Sequence, residues 1–141
     1  MNALNLISLV EKSGCQLFVE GENIRVVKIK LLPLSLVEEI RSQKNILLKI
    51  LNQGVNAKNA GFMTGLTGEL YFRTSGKNSA VYIERTGNQW EAWRETHIQD
   101  KKEPFHFLVI AVSEDFEFVL LKAKNYFEYI ERLGARKVKR D

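Results

Sequence analysis

The sequence predicts an α+β protein built from two small units, and three observations carry the prediction. Up to residue 53, apolar residues recur mainly at helical spacing, interrupted by one hairpin; from residue 69 onward they alternate in short strand-like runs. Between these regions, residues 54–67, "GVNAKNAGFMTGLT", hold three Gly and two Asn in fourteen positions and show no period. The last strand-like run is followed by an apolar stripe at helical spacing, which gives an antiparallel sheet a helix to cover one face.

The first element is a helix over residues 3–12, with Leu6, Leu9 and Val10 on one side, Ala3 behind them and Ser13-Gly14 as its stop. "CQLFVE" and "NIRVV" follow, two runs rich in β-branched and aromatic residues around a Gly-centred turn. Alternation sets Leu17, Val19, Ile24 and Val26 on one face, Cys15 with them, and Phe18, Arg25 and Val27 on the other. Pro33 opens a helix through "PLSLVEEIRSQ", its fixed φ suiting a first turn. A further helix, "KNILLKILNQ", is expected to end at Gly54, so that 1–53 form an α-β-β-α-α unit and 54–67 a linker.

In the second unit, residues 68–134, "GELYFRT", "SAVYIER" and "QWEAWRE" read as a meander, with turns at Thr74–Asn78 and Thr86-Gly87-Asn88. A polar loop, "THIQDKKEP", leads to "FHFLVIAV", whose unbroken apolar run predicts a more deeply buried fourth strand. Ser113 is placed to cap a last helix, Glu114 and Asp115 complement its dipole, and Phe116, Leu120, Ala123, Phe127 and Ile130 form its stripe up to Gly134. Residues 135–141 remain as a basic tail.

Charge is unevenly distributed. Residues 1–53 hold seven Lys/Arg against five Asp/Glu, residues 54–131 nine against eleven, and residues 132–141 five against one, so the net +4 resides in the last ten positions. Arg136, Lys137, Lys139 and Arg140 there suit nucleic acid or an acidic protein, and equally a solvated end. One cysteine excludes an internal disulfide and fits a reducing compartment. The N-terminal segment has no basic region or cleavage site of a signal peptide, and no apolar run approaches the roughly 20 residues that span a bilayer. The expectation is a cytoplasmic protein that does not enter membranes.

Reactive chemistry is not signalled. His97 lies in a polar loop and His106 at a strand start, and with one Cys they fall short of a metal-ligand set. Cys15 lacks a nearby base. "GLTG" and "TSGKNSA" lack the spacing of a phosphate-binding loop. We expect no catalytic residue, no cofactor, no metal and no enzymatic activity.

The strands carry a sharper feature. Alternation turns Leu70 and Phe72, Val81 and Ile83, and Trp90 and Ala92 toward the helix, and Tyr71, Tyr82 and Trp93 away from it. Such a stripe is read either as cross-strand packing or as a recognition surface rich in hot-spot residue types. Glu69, Glu84, Glu91 and Glu95 fall on the same face, with Arg73 as its positive charge. That balance repels phosphate and suits a basic protein surface.

The segments "LISLVEKSGCQLFVEGENIRV" and "PLSLVEEIRSQKNILLKIL" together resemble the TubC N-terminal docking domain of nonribosomal peptide synthetase subunits. The resemblance rests on a helix ending at Gly14, Leu17-Phe18-Val19, Gly21 in the turn, Ile24, Val26, a Pro-started helix and Lys44 opening the last one. It implies a homodimer whose exposed hairpin receives a short charged segment of a partner, with Phe18, Arg25, Val27 and Lys28 on the receiving surface. The family's large catalytic module has no room in the residues after 67, so the resemblance points to the docking fold reused in a small adaptor. The other reading is a nucleic-acid-associated or mobile-element protein, using the basic tail, or a phage-type inhibitor using the acidic aromatic face.

Overall fold

The computed structural model describes residues 1–76, 78–97 and 104–140, with 104–106 and 135–140 described by their backbone alone. The α+β class holds, with four α-helices and two antiparallel sheets among the described residues. The chain divides into two compact units, Met1–Asn56 and Ala57–Asp141.

In the first unit, α1 (Ala3–Lys12) begins at Asn2, whose Oδ1 accepts the Asn5 N–H at 2.8 Å. It ends as the sequence foretells. Gly14 takes φ +85°, its N–H donates to Glu11 O, and the Cys15 N–H reaches back to Val10 O. The turn drops Cys15 into the core beside Val10. The buried face of α1 is Ala3, Leu6, Ile7 and Val10; Leu9, expected on it, is exposed. β1 (Gln16–Glu20) pairs with β2 (Asn23–Val27), Phe18 opposite Arg25 and Leu17 opposite Val26. A short 3₁₀ turn, Ile29–Leu31, leads to α2 (Leu34–Ser42) and α3 (Lys44–Asn59). Ile40, Leu47 and Ile50 close the core over α1, and Leu17, Ile24 and Val26 pack against it from the hairpin.

The expected linker at 54–67 is corrected on both sides. Gly54 does not stop α3, which runs on to Asn59, so the boundary between the units falls inside it. An interior Gly costs only about 1 kcal/mol relative to Ala, which neighbouring helix formers offset. The true stop is Gly61, at φ +89°, with Gly61 N–H on Lys58 O and Phe62 N–H on Ala57 O. Met63–Leu66 is then a strand, β3, so the sheet has five strands where four were expected.

The second unit is a meander in the order β3-β4-β5-β6-β7, with β4 Leu70–Ser75, β5 Ser79–Thr86, β6 Gln89–His97 and β7 Pro104–Ser113. The helix α4 (Phe116–Arg140) covers one face. Asp115 caps it, accepting the Glu117 N–H at 3.0 Å; Ser113, expected in that role, accepts the Asp115 N–H instead. Gly134 does not end α4, whose backbone stays helical to Arg140. The core joins Val81, Ile83, Trp90 and Ala92 of the sheet to Phe116, Val119, Leu120, Ala123 and Phe127 of the helix. As expected, Phe116, Leu120, Ala123 and Phe127 are buried, with Ile130 packed beside them.

Two orientation expectations fail in this unit. Strand β4 is turned over: Tyr71 is fully buried, 0% exposed, while Leu70 and Phe72 face away from α4. Strand β7, expected deep inside, is an edge of the sheet, and Phe107, Leu108, Val109 and Val112 are exposed. No helix among the described residues is long and apolar enough to cross a membrane.

Candidate interaction surfaces

The hairpin places its expected site residues as alternation requires. Phe18 is 46% exposed and Arg25 is exposed directly across from it; Val27 is half-buried on the same side. The Arg25 guanidinium lies 5.8 Å from the Phe18 ring centroid and has no carboxylate or hydrogen-bond partner among the described residues. Phe18, Val19, Glu20 and Arg25 line a shallow hollow of about 270 Å³. Lys28 is exposed where β2 ends and is the described non-Gly residue with positive φ, +62°. Its carbonyl accepts the buried Cys15 thiol at 3.3 Å, which ties that bend to the core. Lys44, at the start of α3, donates from Nζ to Asn23 Oδ1 at 2.8 Å and steadies the hairpin turn.

On the second unit, the face of the sheet away from α4 carries a row of aromatic rings, with one substitution in the expected set. Tyr71 does not belong to it. Its ring is in the core against Trp90 and Phe116, with centroids 6.2 and 5.7 Å away, and its hydroxyl accepts the Gly68 N–H at 3.1 Å. Burial pushes the Tyr71 phenol above its ordinary value, partly offset by that Gly68 bond. Phe72 takes its place. The row runs Phe72–Tyr82 (6.3 Å), Tyr82–Trp93 (4.3 Å, 19° between planes) and Trp93–Phe107 (4.8 Å, 25°). Met63, paired with Phe72, extends it onto β3. Separations near the strand spacing mean that the rings stand off the sheet and stack on one another. The face of the terminal ring, Phe107, is therefore open at the β7 edge, and this residue is 57% exposed.

Carboxylates flank the row. Glu84 and Glu91 are direct cross-strand partners, and neither makes an ion pair among the described residues. Like charges so placed destabilise a sheet locally. Glu95 pairs with His97 Nε2 at 2.8 Å and accepts from Tyr82, whose phenol is pushed up by burial first and then by that carboxylate. Arg73 is not on this face: it turns inward, its guanidinium 4.0 Å from the Phe127 ring centroid and bonded to Ala60 O at 2.9 Å. Arg94 also turns inward, to Ser79 Oγ and the Tyr126 hydroxyl. Glu69 precedes β4 and is not part of the row. The outer face is thus aromatic and acidic: Arg73, Arg85 and Arg94 all fall on the opposite phase of its strands, and no Lys or Arg is turned to it among the described side chains.

The side chains of Arg136, Lys137, Lys139, Arg140 and His106 lie outside the described residues. Phe72 and Phe107 are the site residues that alternation missed; the loop between β4 and β5 carried a signal for the first. No family model, no curated protein and no solved structure matches the chain.

Proposed function

We propose that the chain is a non-catalytic interaction protein whose N-terminal hairpin receives a short acidic segment of a partner. The observation that carries this reading is Arg25: an exposed guanidinium over an exposed Phe18 ring, with no carboxylate of its own. Arg holds a carboxylate through two parallel bonds, and the ring beside it supplies dry contact area. Lys28 adds a second positive charge at the end of the same strand. The resemblance of residues 1–53 to the TubC docking domain supports the same assignment.

An array of short acidic, basic and neutral peptides, probed with the full chain, tests the reading. The wild-type protein retains acidic peptides, and Arg25→Glu/Lys28→Glu binds them about 100-fold less tightly or not at all, since hydrogen bonds to charged groups contribute about 1.5–3 kcal/mol each. Unchanged retention by that variant, with an unchanged melting temperature, removes the hairpin from the account.

The proposal includes a homodimer formed through the first unit. So small a unit buries little apolar surface alone. Several large apolar side chains, Ile29, Leu31, Leu34 and Ile46, remain exposed on it, Leu34 at 70%. Light scattering is expected to give twice the chain mass for the wild type and the single chain mass for Leu31→Lys/Leu34→Lys. A wild-type protein that scatters as a monomer at high concentration contradicts the dimer without touching the hairpin.

A further inference from the structure

We propose that the β7 edge of the second unit is a docking site for an extended, Lys- or Arg-bearing segment of a partner protein, which adds to the sheet as a sixth strand. The inference does not rest on the hairpin reading, since it concerns a different unit and the opposite charge.

The backbone supplies the first argument. Strand β7 runs from Pro104 to Ser113 and has β6 as its neighbour, with no strand on its far side among the described residues. Free edges of this length are normally blunted by charged side chains, short strands or a covering element. The opposite edge, β3, is short and interrupted by Gly65. Between Phe107 and Val112, β7 has no charged residue, and Phe107, Leu108, Val109 and Val112 are exposed. A register shift opposite Ala92 and Trp93 interrupts regular pairing at Ile110, so the stretch suited to strand addition is the part ending at Val109.

The aromatic row supplies the second argument. Its rings stack from Tyr82 through Trp93 to Phe107 and stop there because β7 is the last strand. A strand paired with β7 places an outward side chain about 5 Å away, at the spacing that continues the stack. A planar guanidinium fits that position, lying on the Phe107 face as Arg73 lies on Phe127 within the same unit.

Charge selects the occupant. Glu91 is the cross-strand partner of Val112 and Glu95 of Phe107, so both carboxylates border the edge, with Glu84 behind. Positive side chains on the incoming strand meet them; phosphates are repelled. A second copy paired edge to edge sets one acidic face beside another, which disfavours self-association here.

The test uses the full chain and three probes: a short peptide of alternating Arg and Ser, its Glu-Ser counterpart, and a single-stranded oligothymidylate. Trp93 reports binding by fluorescence, with the buried Trp90 as a constant background. The Arg-Ser peptide is expected to bind with marked salt dependence and to slow amide exchange at Phe107–Val109. Phe107→Lys is expected to weaken it at least tenfold, and Glu91→Gln about threefold, consistent with one partly exposed charge pair. Arg25→Glu/Lys28→Glu leaves this binding unchanged. The proposal is overturned if Phe107→Lys, folded by its urea midpoint, binds the peptide as the wild type does. It is equally overturned if the Glu-Ser peptide or the oligonucleotide produces the same response. A wild-type dimer that Phe107→Lys converts to a monomer makes the occupant a second copy and overturns it too.

Discussion

Tyr71→Ala is expected to destabilise the second unit by about 3–5 kcal/mol, the range for deleting a buried aromatic ring. A small domain has only about 5–15 kcal/mol in total, so the change brings the unit close to unfolding. The reason is the position of the ring between Trp90 and Phe116, with no solvent contact. A tyrosine on an exposed sheet face would cost within about 0.5 kcal/mol, so urea unfolding separates the two placements cleanly. Tyr71→Phe keeps the ring and removes the acceptor of the Gly68 N–H, for a loss of about 1 kcal/mol. The two variants also differ at alkaline pH. Burial raises the folded-state pKa of Tyr71 above the ordinary tyrosine value of about 10. Below that pH both folded and unfolded states hold the proton, and the contribution of the buried phenol is fully present. As pH rises past about 10 the unfolded state ionises first and stability falls. Tyr71→Phe is expected to lose that part of the alkaline decline, read as a shallower drop in urea midpoint between neutral and strongly alkaline pH.

Gly61→Ala is the second large effect, about 3 kcal/mol, seen as a fall in melting temperature of roughly 12–24 °C for a unit of this size. Two causes add. At φ +89° an L-residue is strained by about 1–2 kcal/mol. A Cβ there also lies 2.6 Å from Arg73 Nη1 and 2.7 Å from its Cζ, so the guanidinium must leave. Its displacement breaks the bond to Ala60 O and lifts the cation from the Phe127 ring, about 1 kcal/mol each when half-exposed. In an Arg73→Ala background the cost of Gly61→Ala is expected to fall to the conformational part alone. An undiminished cost there means that Arg73 plays no part in the effect.

The first unit was almost fully legible in the sequence, because each of its signals is local. Ser13-Gly14 marks a helix end that needs only a left-handed residue, and the hairpin has clean alternation, with Glu20 and Arg25 to fix its outward phase. The second unit was legible in class and order but not in phase. In "LYFRT" three apolar residues are consecutive, so hydrophobicity favoured Leu70 and Phe72 inward over Tyr71 and Arg73. Arg73 faces inward because its guanidinium bonds Ala60 O, just past the end of α3, and lies on the Phe127 ring, a long-range fit that no local count contains. The connection did hold the answer. Ser75 pairs with Ser79, leaving three residues between them, and a loop of odd length pairs even positions with even positions. Phe72 must then share a face with Tyr82. The apolar run in β7 misled for a related reason: burial on both faces and exposure at an edge give the same composition. Gly54 and Gly61 were indistinguishable as stops until Ala57 of α3, and Phe62 just past the helix end, were seen in the second core.

The two surfaces are chemically opposite. The hairpin offers cations beside an aromatic ring, and the outer sheet face offers carboxylates beside a stack of rings that ends on an uncovered strand. Each is built on a rigid frame: the hairpin by Leu17, Ile24 and Val26 packed on the first core, the sheet by Tyr71, Val81 and Trp90 packed under α4. Amide shift mapping of the full chain against an acidic peptide retained on the array tests the hairpin most directly. The account predicts shifts confined to Gln16–Val27 and Lys28, saturating together and absent in Arg25→Glu/Lys28→Glu. Shifts that spare the hairpin and appear on other elements contradict it.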